Sequence, residues 1–435
     1  MTENIKAKCD LENGQWAHDL ATKLWPINRS LTGEGVRQTL DILEAHMPCL
    51  SRYQTPTGSR VFDWTVPKEW QIKQAWIKTP SGEKICEFSK NNLHLVGYSE
   101  PVNKIIDLAS LQKHLYSLPA QPTAIPYVTS YYKETWGFCI SEEQRKSLVE
   151  GEYHVFIDSE LKNGVLDYAD LIIPGVSEEE IVFSTYICHP SMANNELSGP
   201  VVAAALANFV NEKKNRKYTY RFIFVPETIG SIVYLSEHLD DLKQNVKAGF
   251  VLTCLGDEGN FSYLASPFGD NYADKLATAI LCDNAYNYKS YSFLERGSDE
   301  RQYCSPSVNL PFCSIMKTKY GEFPEYHTSL DDLKLVTAVG LGQSIQLYKE
   351  LIELIEKNCH PQASHHCEPQ LGKRGLYNSI STVGSGLTSR GLTNFLAYAN
   401  GELDLIDISK SIRKPLSETI ELFDLLKCHD LIINK

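Results

Sequence analysis

The chain has 435 residues, 43% hydrophobic and 10% aromatic, and its formal net charge is −12. That length predicts two or three domains with ample material for cores, while the acidic balance argues against a general binder of nucleic acid or anionic membrane. No run approaches the roughly 18 apolar residues of a membrane helix. Met1-Thr2-Glu3-Asn4 does not begin a signal peptide, and twelve cysteines stand singly without a CxxC pair, the usage of reduced thiols in a cytoplasmic protein.

In chain order, residues 12–48 read as helix, interrupted by a loop at Asn28-Arg29-Ser30-Leu31-Thr32-Gly33. Between Gly58 and Tyr153, the segments Val61–Pro67, Leu93–Tyr98 and Tyr131–Cys139 are short, aromatic and punctuated by Pro and Gly, which predicts a β-rich unit. From about 165 to 355, strands alternate with helices. Ile181–Tyr186, Arg221–Val225 and Ala248–Leu255 read as strands, and Val201–Val210, Ser231–Leu239 and Leu341–Ile355 as helices. That alternation implies a mostly parallel, helix-covered sheet. After the polar stretch Asn358–Glu368, Leu392–Tyr398 and the segment Ser409–Leu426, broken at Pro415, predict a compact helical module. The domains expected are 1–57 with 165–358 as an α/β domain, 58–164 as an inserted β-rich domain, and 365–435 as a winged-helix-like domain.

Chemistry concentrates where strands end. Ile187-Cys188-His189-Pro190 runs on to Asn194-Asn195-Glu196-Leu197-Ser198-Gly199, Pro226-Glu227-Thr228-Ile229-Gly230 follows the next strand, and Glu325-Tyr326-His327-Thr328-Ser329 comes later. Parallel strands present their carboxyl ends on one edge, where α/β enzymes build sites. A catalytic zinc needs nitrogen and oxygen ligands and one open position. His189 and His327 supply imidazoles, and Glu196 and Asp257 carboxylates. Glu227 is the candidate general base, taking a proton from water and delivering it to a leaving amine.

These segments resemble the zinc aminopeptidase superfamily with a co-catalytic metal pair, which includes leucyl aminopeptidases, glutamate carboxypeptidases and glutaminyl cyclases. That pattern reads His-x-Asp, Asp-Asn-x-Ser-Gly, Glu-Glu-x-Gly, a strand-end Asp, and Tyr-His-Thr. More narrowly, Trp25–Ser30, Val61–Trp64, Trp136–Cys139 and Gly297–Tyr303 resemble a bacterial aminopeptidase-like family often encoded beside polysaccharide-biosynthesis genes. The resemblance implies a zinc-aminopeptidase-like mixed sheet, a β-rich insertion and a C-terminal winged helix. Departures stand at Asn195 for the bridging Asp, Thr228 for the second Glu, Ser191 for the Asp after the first His, and near Thr253 for the strand-end Asp. One zinc is therefore expected rather than two.

Within Ser298-Asp299-Glu300-Arg301, Arg301 is suited to hold a substrate carboxylate, and Asp299 or Glu300 an amino terminus. Asp331 is read as a capping or orienting group. Cys359, His360, His365, His366 and Cys367 fit no zinc-finger spacing and read as linker. Pro361–Lys435 carries eight basic and eight acidic residues, so this module is read as a packing or homo-oligomerisation element rather than a DNA reader. Trp64, Trp70, Trp76, Tyr131, Tyr132 and Trp136 form either core or a carbohydrate or peptide platform. The function expected is zinc-dependent hydrolysis of a peptide or an amide-containing small molecule. The alternatives are a catalytically decayed scaffold that binds and regulates, or a zinc-dependent deacylase or cyclase.

Overall fold

In a computed structural model, described here for residues 3–47, 49–284, 286–376 and 387–434, the chain divides into two compact units. One comprises residues 1–273 with 288–349, the other 274–287 with 350–435.

The first unit is organised by an eight-stranded sheet. Its centre is four parallel strands, Thr219–Val225, Glu180–Tyr186, Val246–Val251 and Phe312–Met316, in that order. Two antiparallel strands, Val165–Ile173 and Ser51–Pro56, extend one side. Phe261–Leu264 and Tyr288–Tyr291, parallel to each other, extend the other. Every residue of Glu180–Tyr186 and Thr219–Val225 is buried, as expected for strands covered on both faces. The covering helix Ser198–Glu212 hides Val201, Val202 and Leu206 completely, each worth about 1.5–3 kcal/mol of apolar burial. Against it packs the helix Glu3–Leu24, through a face that includes Ala17, Leu20, Ala21 and Leu24. Gly199 is required by this close packing, because a Cβ there would lie 2.2 Å from Thr185 Oγ1 and 2.3 Å from Leu252 O.

A four-stranded sheet built from Lys84–Ile85, Glu69–Lys78, Glu152–Lys162 and Val102–Asp107 lies in the same unit. Its strands fall elsewhere than the segments singled out above, of which Val61–Pro67 contributes to a separate hairpin of Arg60–Val61 with Trp64–Thr65. Leu93–Tyr98 holds a 3₁₀ turn and isolated bridges, and within Tyr131–Cys139 only Phe138–Cys139 is a strand. The long strand Glu69–Lys78 carries a register shift between Ile72 and Gln74, which breaks the alternation that marks a strand in sequence. Trp70 stacks on Tyr98 and Trp76 on Phe156, so these two tryptophans serve packing within the sheet unit.

In the second unit, helices Leu387–Tyr398, Leu405–Ile412 and Leu416–Cys428 accompany a two-stranded ribbon of Pro361–Ala363 and Ile432–Asn434. The turn before Pro415 is made by Arg413 in the left-handed region. Three helices with a terminal ribbon are the winged-helix arrangement.

Candidate active site

His189 and Glu227 follow the carboxyl ends of the neighbouring parallel strands Glu180–Tyr186 and Thr219–Val225, and His327 lies on the loop after Phe312–Met316. The three converge on one cavity of about 360 Å³. His189 Nε2 stands 3.6 Å from Glu227 Oε2, beyond direct hydrogen bonding, and the two imidazole centroids are 5.6 Å apart. His327 Nε2 is buried and has no hydrogen-bond partner among the described residues. Both imidazoles are held neutral. Burial, with Arg29 nearby, pushes His189 down to about 3, and burial followed by His189 itself does the same to His327. Neutral imidazole is the form that ligates a metal.

Glu196, expected at the metal, stands on the other edge of the His189 ring. Its Oε2 lies within hydrogen-bond distance of His189 Nδ1, at 2.7 Å, and its Oε1 lies 3.5 Å from the buried Arg29 Nε. Arg29 also donates to the His189 carbonyl at 3.0 Å. Burial raises Glu196 to about 8 against the pull of Arg29. Cys188, His189 and Glu196 place donor atoms within 4.8 Å of one another, yet Cys188 Sγ accepts the Glu227 N–H and His189 Nδ1 is committed to Glu196. The trio therefore orients the imidazole from behind.

Asp257 is not brought to the imidazoles either. Its carboxylate accepts from Asn194 Nδ2 at 2.9 Å, the Thr318 hydroxyl at 2.7 Å, and the Gly259 and Thr318 amides at 2.7 and 3.1 Å. Four donors occupy the acceptor capacity of a carboxylate, and Asp257 does not line the cavity. At the position of the missing strand-end Asp, the Thr253 hydroxyl donates to Asn195 O at 2.8 Å. The Tyr186 hydroxyl donates to Asn195 Oδ1 at 3.2 Å.

Asp331 caps the buried π-turn Ala193–Leu197, accepting the Asn194 and Asn195 amides at 2.6 and 3.0 Å. Asp299 is fully buried. Its Oδ1 accepts the Thr228 amide at 2.7 Å and the Ser231 hydroxyl at 3.0 Å, so it braces the Glu227 turn from behind. Glu300 is also buried and binds the Gly297 and Ser298 amides. Arg301, by contrast, is exposed, lines the cavity, and donates from Nη2 to the Thr228 hydroxyl. Thr228 has φ +65°, an uncommon state for a β-branched residue that costs about 1–3 kcal/mol. Ser191, Cys254 and His327 are likewise left-handed. Such strain clusters at functional sites.

Tyr127 carries no sequence signal for the site. Its amide donates to His327 O at 2.9 Å, and the Ser329 amide to Ile125 O at 2.8 Å. The Tyr127 ring lies 5.3 Å from His189 and 5.2 Å from His327. Its hydroxyl meets that of Tyr131 at 2.7 Å. Trp64, Tyr131 and Tyr132 complete an aromatic wall. Burial and the surrounding carboxylates, Asp299 foremost, raise Glu227 well above the ordinary carboxyl range.

Residues 18–358 match the family described as "Domain of unknown function (DUF4910)", and residues 359–434 match a winged helix-turn-helix family. A Clostridium acetobutylicum polysaccharide biosynthesis protein with aminopeptidase-like domain is 44% identical over 401 residues, 92% of this chain and 91% of the relative. A crystal structure of a protein provisionally named a peptidase, also from Clostridium acetobutylicum, superposes with a TM-score of 0.93 at 40% identity, covering 99% of both chains. The zinc aminopeptidase of Bacillus subtilis shares the fold at 13% identity, with a TM-score of 0.57 over 79% of this chain and 94% of that one. The chain therefore belongs to the DUF4910 family, an aminopeptidase-like α/β fold followed by a winged helix.

Proposed function

We propose that the cavity between His189, Glu227 and His327 hydrolyses an amide bond, with one zinc ion as cofactor. The observation that carries this reading is the pair of neutral imidazoles at one cavity, the His327 Nε2 without a partner among the described residues, beside a carboxyl held high in its proton affinity. His189 and His327 would hold the metal through Nε2. A bound zinc ion would polarise the scissile carbonyl and acidify water there.

The chain's own residues supply the rest. Glu227 takes a proton from the attacking water and returns it to the departing amine. Burial and the neighbouring Asp299 raise its proton affinity, which makes it a stronger base toward water. Glu196 and Arg29 hold the His189 ring in place, and Asp299 holds the Thr228 amide so that Glu227 keeps its position. A single ion suits this donor set better than two, because Glu196 and Asp257 are turned to other partners and Asn195 and Thr228 are neutral.

That same loss of carboxylates favours a second reading, a scaffold that binds substrate-like ligands without turning them over. Elemental analysis and turnover of Glu227→Gln separate the two. About one zinc per chain in both proteins, with hydrolysis lost by about 10²–10⁴-fold in the variant, supports catalysis. A zinc-free protein that takes up none, or equal turnover in both, overturns it.

A further inference from the structure

The charges facing the cavity are few and unevenly placed. Among the described residues that line it, Glu227 is the one carboxylate and Arg301 the one permanently charged cation. An enzyme that selects a free amino terminus needs a carboxylate to pair with the ammonium group. Asp299 and Glu300 are at most 1% exposed, lie outside the lining, and point their bonded oxygens toward Thr228, Ser231, Gly297 and Ser298. Glu227 is required for proton transfer.

Arg301 has the opposite character. Its guanidinium is exposed in the cavity, makes no ion pair or hydrogen bond with a carboxylate among the described residues although its charge reaches Glu227 and Asp299, and is steadied at Nη2 by the Thr228 hydroxyl. Its other N–H groups stay available in a planar fork that matches a carboxylate in two parallel bonds. The anchor is itself informative. Thr228 occupies the place of the second Glu in the resembling pattern, and a glutamate there would compete with any incoming carboxylate for Arg301. Trp64, Tyr131 and Tyr132 add an apolar wall to the same cavity, suited to an aromatic or aliphatic group.

Building on the hydrolytic reading, we propose that Arg301 is the receptor for a substrate carboxylate, and that the chain acts on amides bearing one, of the N-acyl-amino-acid or peptide carboxyl-terminal class, rather than on substrates with a free α-amino group. Water adds to the amide carbonyl, the C–N bond breaks, and the products are a carboxylic acid and an amino acid whose nitrogen has received the proton from Glu227.

The test is calorimetric binding of three probes to the full zinc-supplemented chain: N-acetyl-L-phenylalanine, its neutral amide N-acetyl-L-phenylalaninamide, and L-phenylalaninamide. The expected result is an affinity for the carboxylate probe at least about tenfold above that for its neutral amide. That ratio should collapse toward one in Arg301→Gln and recover in part in Arg301→Lys. A ratio that persists in Arg301→Gln places the carboxylate elsewhere, on the metal included, and overturns the proposal. Equal or tighter binding of L-phenylalaninamide, or no carboxylate preference in the native chain, overturns it as well. Turnover is scored separately. Carboxylate-selective binding dependent on Arg301, with no probe hydrolysed, leaves the receptor assignment standing and removes the hydrolytic one. Turnover of L-phenylalaninamide without dependence on Arg301 does the reverse.

Discussion

His189 Nδ1 lies 2.7 Å from Glu196 Oε2, and this contact occupies that nitrogen and leaves Nε2 to meet the cavity. A carboxylate behind a histidine fixes its tautomer, turns Nε2 outward and raises its basicity. On the hydrolytic reading proposed above, Glu196 would therefore act on a metal through His189 rather than as a ligand itself. Glu196→Gln should keep the fold and lower zinc affinity by about 10–100-fold, read by competition against a chromophoric chelator. Unchanged affinity would remove this role from Glu196.

Asp257 should behave differently. Its four hydrogen bonds tie Asn194 to the Gly259 and Thr318 amides and the Thr318 hydroxyl. Asp257→Asn replaces an acceptor by a donor within that ring of donors. The expected cost is about 1–3 kcal/mol in denaturant unfolding, with zinc stoichiometry unaltered. Loss of the metal without loss of stability would make Asp257 a ligand after all.

Acid sensitivity should centre partly on Glu69. Burial pushes its carboxyl up, but bonds from Arg37, Gln71 and the Val165 amide outweigh that and leave it below its ordinary value of 4.5. On acidification the unfolded chain takes up this proton first. The stability Glu69 contributes is thus full above about its unfolded value and is lost as pH falls through the folded one. Glu69→Gln should cost about 1–3 kcal/mol at neutral pH and flatten the fall in stability at acid pH, measured by urea unfolding across that range. Parallel curves for the two proteins would contradict the assignment.

The winged helix should not read DNA. In helix-turn-helix proteins the second helix of the motif enters the major groove. Here that helix, Leu416–Cys428, exposes Glu421 and Asp424 beside Lys427, and anionic side chains repel the phosphate backbone. Fluorescence anisotropy with a labelled duplex at physiological salt should show no binding tighter than about 10⁻⁴ M. A micromolar affinity that weakens with salt would reverse this reading.

Much of the central sheet was legible because its fully buried strands are short, mostly apolar and β-branched or aromatic runs, as in Ile181–Tyr186 and Arg221–Val225. The helices after them were legible from their apolar content, and the helical module from its break at Pro415. The smaller sheet was not, since Glu69–Lys78 mixes exposed and buried positions around its register shift. Trp64, Tyr131 and Tyr132 read equally well as core or platform, and only their placement in the cavity lining separates them from Trp70 and Trp76.

The sequence by itself determined the strand-end positions of His189 and Glu227 and the neutral replacements at Asn195 and Thr228. These follow from residue identity and from the direction of parallel strands, both of which are local. Only the tertiary structure decided where each carboxylate points. Glu196 turns to His189 and Arg29, Asp257 to Asn194 and Thr318, and Asp299 to Thr228. Tyr127 reaches both imidazoles from a distant segment. A buried carboxylate goes where donors from several elements converge to offset its desolvation, and that convergence exists only once the chain has folded.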